Sequence, residues 1–420
     1  MKKLSLHWKI LIGMAFGVLF GYFMSTINGG EIFVSNWIKP FGTIFINSLK
    51  LIAVPLILAS LIKGVSDLKD ISRLSSMGTI TITTYLTTTV IAVSVGLFLV
   101  NIVKPGDTIS EKTRTELIGQ YDSEADKKRN AAAENKVAGP LQPLVDLVPS
   151  NFVAAASDNK NMLQVIFFSI LFGISIILIP PNKAKPVKDF FDSFNEVVLK
   201  IIDIIMMFAP YGVFGLLAAL IVESPNADLL KSLIMYSVTL LIGLLFMIII
   251  YIVIVKLLTG RNPILFLKAI LPAQLVAFST SSSAATLPIT MDRVQNHLNV
   301  EKEVASFVLP IGATINMDGT AVYQAVAAVF IAQTFGLDLS FTAQLGIIST
   351  ATLASIGAAA VPSAGIIVLV IVLAQAGIPE AGLALIFAVD RPLDMFRTVV
   401  NITGDATVST IVSKFQKNQS

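Results

Sequence analysis

Apolar runs of the length a helix needs to cross a bilayer, roughly 20 residues, recur along the chain at about 9–27, 39–63, 77–103, 161–181, 193–222 and 230–257. Each predicts a spanning helix. After residue 260 the pattern changes. Segment 263–292 is interrupted by "STSSSAAT", and each flank reads as too short to span alone. Segment 342–376 is interrupted in the same way by "SIGAAAVPSAG". Between them, the apolar run 303–334 carries "GATINMDGTA" at its middle. Two interrupted segments, each followed by a helix with polar residues at its centre, make a repeat of opposite topology. Irregular backbone at membrane depth is tolerated only where protein or a wet cavity satisfies it. Interrupted segments in corresponding positions of two halves point to a binding site near the midplane.

Composition agrees with a membrane protein. The 420 residues are 55% hydrophobic and 14% charged, against about 25% charged in a soluble domain. The net charge of +3 shows no clustered basic face, so a nucleic-acid partner is not expected. Cysteine is absent, which excludes disulfides and thiolate metal sites. The start, "MKKLSLHWKILIGMAFGVLFGYFMS", lacks a small-residue cleavage site and reads as a retained first helix. Short basic turns at 63–73, 182–190 and 256–268, together with the basic N-terminus, belong in the cytoplasm by the positive-inside rule. Six passes return the chain to that side. Segment 105–160 mixes charges of both signs with few large apolar residues up to about 140. It is expected to be a flexible extracytoplasmic loop leading into the fourth span.

The last apolar segment holds "FAVDRPLDMFRTVVNITGDATVS", 387–409. At about 100° per residue, Asp390, Asp394, Arg397, Asn401 and Asp405 fall within roughly 80° of one helix face. Insertion of each Asp or Arg at a helix centre costs about 2.5–3.5 kcal/mol, so that face must be wet or neutralised. Three aspartates against Arg397 leave surplus negative charge, which suggests bound cations. Arg391 falls off the stripe and is expected at the interface or facing the periplasm. "NMDGT", 316–320, adds Asn316 and Asp318, with Gly312 and Gly319 expected to let the helix unwind and present carbonyls. Oxygen-only groups suit a hard cation. Neither histidine lies near them, which argues against zinc or copper. No nucleophile–base pair is visible, and "TSSSAAT" lacks the glycines of a nucleophile elbow. An enzyme is therefore not expected.

"STSSSAATLP", "GATINMDGTA", "ASIGAAAVPSAG" and "LDMFRTVVNITGDAT" resemble the dicarboxylate/amino acid:cation symporter family, which includes sodium-coupled glutamate/aspartate transporters and the excitatory amino acid transporters. The resemblance covers the chain in span order. It implies an all-α polytopic membrane protein with eight transmembrane helices and two re-entrant helical hairpins, 263–292 and 342–376, in a homotrimer working as an elevator. Scaffold spans would occupy 1–76 and 161–225. The transport domain would take span 3, 77–104, and 226–420. For the acidic amino-acid substrate, the resemblance implies Ser282 and Ser283 at the first hairpin tip, Val361 and Gly365 at the second, Asp394 for the ammonium group and Arg397 for the side-chain carboxylate. Thr320, Thr398 and Asn401 would complete that shell. Sodium ions, several per substrate, would have three sites. The first is Asp405 with carbonyls of Gly312, Asn316 and Asn401. The second is Thr314, Met317, Ser355, Ile356 and Ala358. The third is Asp318 and Asn316 with Tyr85, Thr88 and Thr89.

The chain departs from the family pattern where some members carry a further arginine, at the first hairpin tip or in span 8. It has Ser281 and Met395 there. Pro392, inside the last span, is expected to kink it. The mammalian pattern "NMDGTALY" is followed by a glutamate, whereas "NMDGTAVYQ" ends here in Gln324, an amide that cannot carry a proton. The expected function is uptake of aspartate or glutamate driven by sodium across a plasma or inner membrane, with both termini cytoplasmic. The alternatives are a proton- or sodium-coupled carrier of C4-dicarboxylates, or of cystine or neutral amino acids. Asp394 argues against the first, and Arg397 against the neutral amino acids.

Overall fold

A computed structural model describes residues 6–66, 75–111, 114–115, 148–157, 161–223, 227–356 and 364–417. Among the described residues the regular structure is helical, with no strand. The interior of the 105–160 segment, 116–147, and the second interruption, 357–363, lie outside the described residues.

The first half forms α1 Leu6–Ser25, α2 Lys39–Ser66, α3 Ser75–Val103, α4 Met162–Leu178, α5 Pro181–Met207, α6 Ala209–Glu223 and α7 Ala227–Thr259. These follow the expected spans with one difference. The run 193–222 is two helices, α5 and α6, meeting at Phe208 with a bend of 49°. Helix α5 also starts twelve residues early, because its charged opening "PNKAKPVKDFFDS" is amphipathic and helical although it is not apolar enough to read as a span.

The second half forms α8 Pro263–Thr280, α9 Ser283–Asn296, α10 Lys302–Ile315, α11 Asp318–Thr334, α12 Phe341–Ile356, α13 Ala364–Gln375 and α14 Leu383–Lys417. Its breaks have local causes. Asn262 caps α8, accepting from the amides of Ile264 and Leu265 at 2.9 and 3.3 Å, with Pro263 in the first turn. The helix ends where Ser281 turns left-handed, at φ 51°. Ser282 then caps α9 by accepting from Ala285 N at 3.2 Å. The expectation that neither flank of 263–292 could span is corrected. Helix α8 keeps Ser279 and Thr280, and its 18 residues are long and apolar enough to cross by themselves. Pro392 does not interrupt α14, which runs unbroken through it.

By length and composition, four stretches among the described residues could cross a membrane: Met77–Thr108, Lys231–Thr259, Pro263–Thr280 and Lys302–Thr334, with α5–α6 a fifth if the bent pair is one span. Two groups of helices pack within themselves. Helix α6 lies against α1 and α2, and α2 also holds α4 and α5. Helix α14 is surrounded by α7, α8, α10 and α11, and α3 lies along α11. The groups meet where α6 touches α14, α2 touches α13, and α4 touches α12. Helix α11 is almost wholly enclosed, which puts the polar break before it deep inside protein.

Candidate functional site

Helix α14 supplies a buried polar stripe. Asp390, Asp394, Arg397, Asn401 and Asp405 are all buried, as the spacing required. Arg397, 1% exposed, donates from Nη2 to Asp390 Oδ1 and to Asp394 Oδ1, each at 2.8 Å. Its Cζ lies 3.9 Å from the centroid of the Tyr323 ring on α11, close enough for a cation–π contact. Its Nε and Nη1 have no hydrogen-bond partner and are buried. A Cβ on Gly365, at the start of α13, would stand 2.9 Å from Arg397 Nη1 and 3.3 Å from Thr320 Cγ2. Gly365 and Thr320 therefore pack close to Nη1 of the guanidinium.

Arg391 corrects the sequence reading. It is 7% exposed, not at an interface, and Nη1 donates to Asp394 Oδ2 at 3.2 Å. Residues three apart on a helix are neighbours, and a guanidinium on a three-carbon stem reaches across to the stripe from a Cα outside it. The surplus negative charge read from the sequence is thereby cancelled at this end of the helix. Asp390 and Asp394 stand against Arg391 and Arg397. Thr398 Oγ1 donates to Asp394 O at 2.9 Å. Ser282 and Ser283, at the first break, are both buried.

A second cluster forms where α10 stops at Ile315 and α11 starts at Asp318. Asn316 Nδ2 donates to Asp405 Oδ1 at 2.9 Å and to Asn401 O at 3.0 Å. Asn401 Oδ1 accepts from Gly319 N at 2.7 Å, and its Nδ2 approaches Met317 Sδ at 3.2 Å. Thr89 Oγ1 donates to Asp318 Oδ1 at 2.6 Å. Tyr251 donates its hydroxyl to Asp318 Oδ2. Tyr85, fully buried, donates to Val308 O at 3.1 Å, and Thr88 to Tyr85 O at 3.1 Å. The chain breaks at Asn316 and Met317 rather than unwinding at the glycines, which corrects their expected role. Both glycines allow close approach. A Cβ on Gly319 would meet Arg397 O at 2.3 Å, and one on Gly312 would meet Tyr85 Oη at 2.3 Å and Asp405 Oδ1 at 2.4 Å.

Tyr251 was missed. It lies in "MIIIYIVIVK" on α7, where a lone tyrosine in an apolar run gives no signal beyond ordinary packing. Thr314 and Ser355 turn their hydroxyls to their own helices, onto Pro310 O and Thr352 O at 2.9 Å each. They stand at the C-terminal ends of α10 and α12, where carbonyls lose their helical partners. Only the backbone of Ile356 is described, and Ala358 and Val361 lie outside the described residues.

The donor set at the break is oxygen-rich. Asp318 and Asp405 are buried, and no Lys, Arg or His among the described residues forms an ion pair with either. Asn316 Oδ1 is buried without a partner. No group of three or more His, Asp or Glu side chains that could hold a metal occurs among the described residues. Two uncompensated carboxylates, an orphaned amide oxygen and hydroxyls fit a small hard cation.

Apolar helices, a broken helix at their centre and charges buried along its neighbour define a multi-pass membrane transporter. The chain belongs to the sodium:dicarboxylate symporter family, which it matches over residues 6–415. It is 38% identical over 408 residues to an excitatory amino acid transporter of Caenorhabditis elegans, covering 90% of this chain and 81% of the relative. It is 34% identical over 418 residues to the proton/sodium-glutamate symport protein of Bacillus caldotenax, covering 99% and 96%. It is 32% identical over 418 residues to the proton/glutamate-aspartate symporter of Escherichia coli strain K12, covering 99% and 93%.

Proposed function

We propose that this protein is a secondary active transporter that couples inward sodium movement to uptake of aspartate or glutamate. The observation that carries the reading is Arg397. A fully buried guanidinium with Nε and Nη1 unpartnered leaves N–H donors for a carboxylate, and a hydrogen bond between ionised partners is a strong one. Asp394 would take the substrate ammonium. Ser282, Ser283, Thr320, Val361, Gly365, Thr398 and Asn401 would complete the substrate shell. Asp405 with Gly312, Asn316 and Asn401 would hold one sodium ion. Asp318 with Asn316, Tyr85, Thr88 and Thr89 would hold another, and Thr314, Met317, Ser355, Ile356 and Ala358 a third. The uncompensated charge of Asp318 and Asp405 supports cargo cations.

The reading carries an architecture with it: eight spans, two re-entrant hairpins, a homotrimer in the plasma or inner membrane, and cytoplasmic termini. Residues 1–76 and 161–225 would form the scaffold. Residues 77–104 and 226–420 would move as the elevator. The tendency of α1, α2, α4, α5 and α6 to pack together, apart from α3 and α7–α14, supports that division.

A second reading, coupling to protons, is favoured by the names of these two bacterial relatives, both of which include a proton. Buried aspartates could carry it. One experiment separates the readings: uptake of radiolabelled aspartate, glutamate and succinate into proteoliposomes, with sodium and proton gradients imposed separately. Sodium-driven accumulation of aspartate or glutamate is expected. Accumulation of succinate alone, or uptake driven only by a proton gradient, would overturn sodium-coupled acidic amino-acid transport.

A further inference from the structure

The Asp394 carboxylate is held from both sides. Its Oδ1 accepts from Arg397 Nη2 at 2.8 Å and its Oδ2 from Arg391 Nη1 at 3.2 Å. Arg397 Nη2 also serves Asp390, and this leaves Nε and Nη1 open. Without Arg391, the buried Oδ2 would lose this donor, and a buried carboxylate oxygen seeks another. The neighbouring guanidinium offers Nε and Nη1 of Arg397, the same donors the proposed function reserves for the substrate. Charge acts in the same direction. Asp390 and Asp394 contribute −2 and Arg391 and Arg397 contribute +2, so this cluster is neutral. Removing Arg391 makes it −1, in a place where water cannot screen the difference.

We infer that Arg391 is a specificity-determining positioning residue: by holding Asp394 Oδ2 it keeps Arg397 open and the site neutral, so that an amino acid with a side-chain carboxylate is preferred over its uncharged counterpart. The inference rests on the proposed function. Arg391 does not touch the substrate in this account. It acts through Asp394, and its Nε, buried without a partner, marks a guanidinium enclosed for its ion pair rather than snorkelling to water. Neither Ser281 nor Met395 can supply a positive charge to Asp394.

The test compares aspartate with asparagine, which replaces the side-chain carboxylate by an amide of nearly the same shape. Affinities are measured by calorimetry at saturating sodium on purified full-length wild type, Arg391→Gln and Arg391→Lys. Thermal unfolding and size-exclusion profiles report folding. Gln keeps much of the side-chain volume without the charge, and Lys restores the charge. Arg391→Gln is expected to lose about ten- to a hundred-fold in aspartate affinity, with a change of no more than about three-fold for asparagine, and Arg391→Lys to regain most of the ratio. Parallel loss for both ligands would make Arg391 a merely structural residue and overturn the inference. So would an unchanged ratio, or a folded Lys variant that behaves like Gln. If wild type binds neither aspartate nor glutamate at any sodium concentration, the proposed function falls and this inference with it. A wild type that binds aspartate and a variant whose ratio is unmoved reject the inference alone.

Discussion

Gly312→Ala tests the cation site without touching any of its charges. The new methyl would lie 2.3 Å from Tyr85 Oη and 2.4 Å from Asp405 Oδ1, where a relaxed contact is about 3.5 Å or more. Two oxygens of the proposed sodium ligand set must therefore each move by about 1 Å. Both belong to side-chain ends, so the fold can absorb the change. The cost falls on what those ends hold, including the 2.9 Å bond from Asn316 to Asp405. Overpacking of this kind costs about 1–3 kcal/mol, or roughly 5- to 150-fold in an equilibrium constant. Because substrate and sodium must tighten each other's binding by the same factor if they are coupled, the loss should show in both. The assay is calorimetric titration of aspartate across a sodium series on purified protein, with Gly78→Ala as control. A methyl on Gly78 meets only Phe307 Cζ, at an ordinary 3.9 Å. Half-saturation by sodium should rise by about ten-fold or more in Gly312→Ala and stay put in Gly78→Ala. A folded Gly312→Ala protein with wild-type sodium dependence would refute the placement of a cation beside Asp405.

Arg397→Ala should abolish acidic amino-acid uptake while a folded protein remains. Removing one partner of a buried pair costs about 3–5 kcal/mol, or about a thousand-fold in affinity, and unchanged aspartate affinity would remove Arg397 from the site. Tyr251→Phe deletes the donor to Asp318 Oδ2 and keeps the ring; it should change sodium half-saturation several-fold, and no change in that curve would make Tyr251 a packing residue only. Gln324, fully buried, cannot titrate, so uptake is expected to need neither co-transported protons nor internal potassium. A trapped pH dye in potassium-free vesicles checks this, and acidification that follows aspartate entry at zero membrane potential would sink it.

The stripe on α14 was legible because a helix has a fixed period. Spacings of four, three, four and four put five polar groups on one face whatever surrounds them. The breaks before α9 and α11 were legible for a similar reason, since serines and Asn-Met-Asp-Gly offer the backbone local partners that apolar residues do not. What escaped depends on side-chain reach and on neighbours distant in sequence. The Cα of Arg391 lies off the stripe, and only its long stem brings the guanidinium to Asp394. Tyr251 acquires meaning only because α7 packs against α11 and α14. In sequence, the glycines of the break suggest flexibility. Their use is room, and the atoms that need the room, Arg397 O, Tyr85 Oη and Asp405 Oδ1, belong to other helices.

The two clusters differ in charge in a way that bears on coupling. Around Asp394 the four ionised groups cancel, whereas Asp318 and Asp405 add to −2 with no basic partner among the described residues. From Asp394 to Asp405 is eleven residues of one helix, about 16 Å along its axis. Asn401 lies between them and binds both chain ends of the broken helix, accepting from Asn316 Nδ2 at its carbonyl and from Gly319 N at its Oδ1. Gly319 in turn sits against the carbonyl of Arg397. In the proposed reading, a cation that neutralises Asp318 and Asp405 removes the repulsion between them and fixes the spacing of α11 against α14. That spacing is what sets Thr320 near Nη1 of Arg397. A substrate that needs both groups in register then binds better when the cation is present, and the cation binds better when the substrate holds the register. The dependence runs through a contact between two backbones too close for any side chain between them, so it requires no movement of the neutral cluster itself.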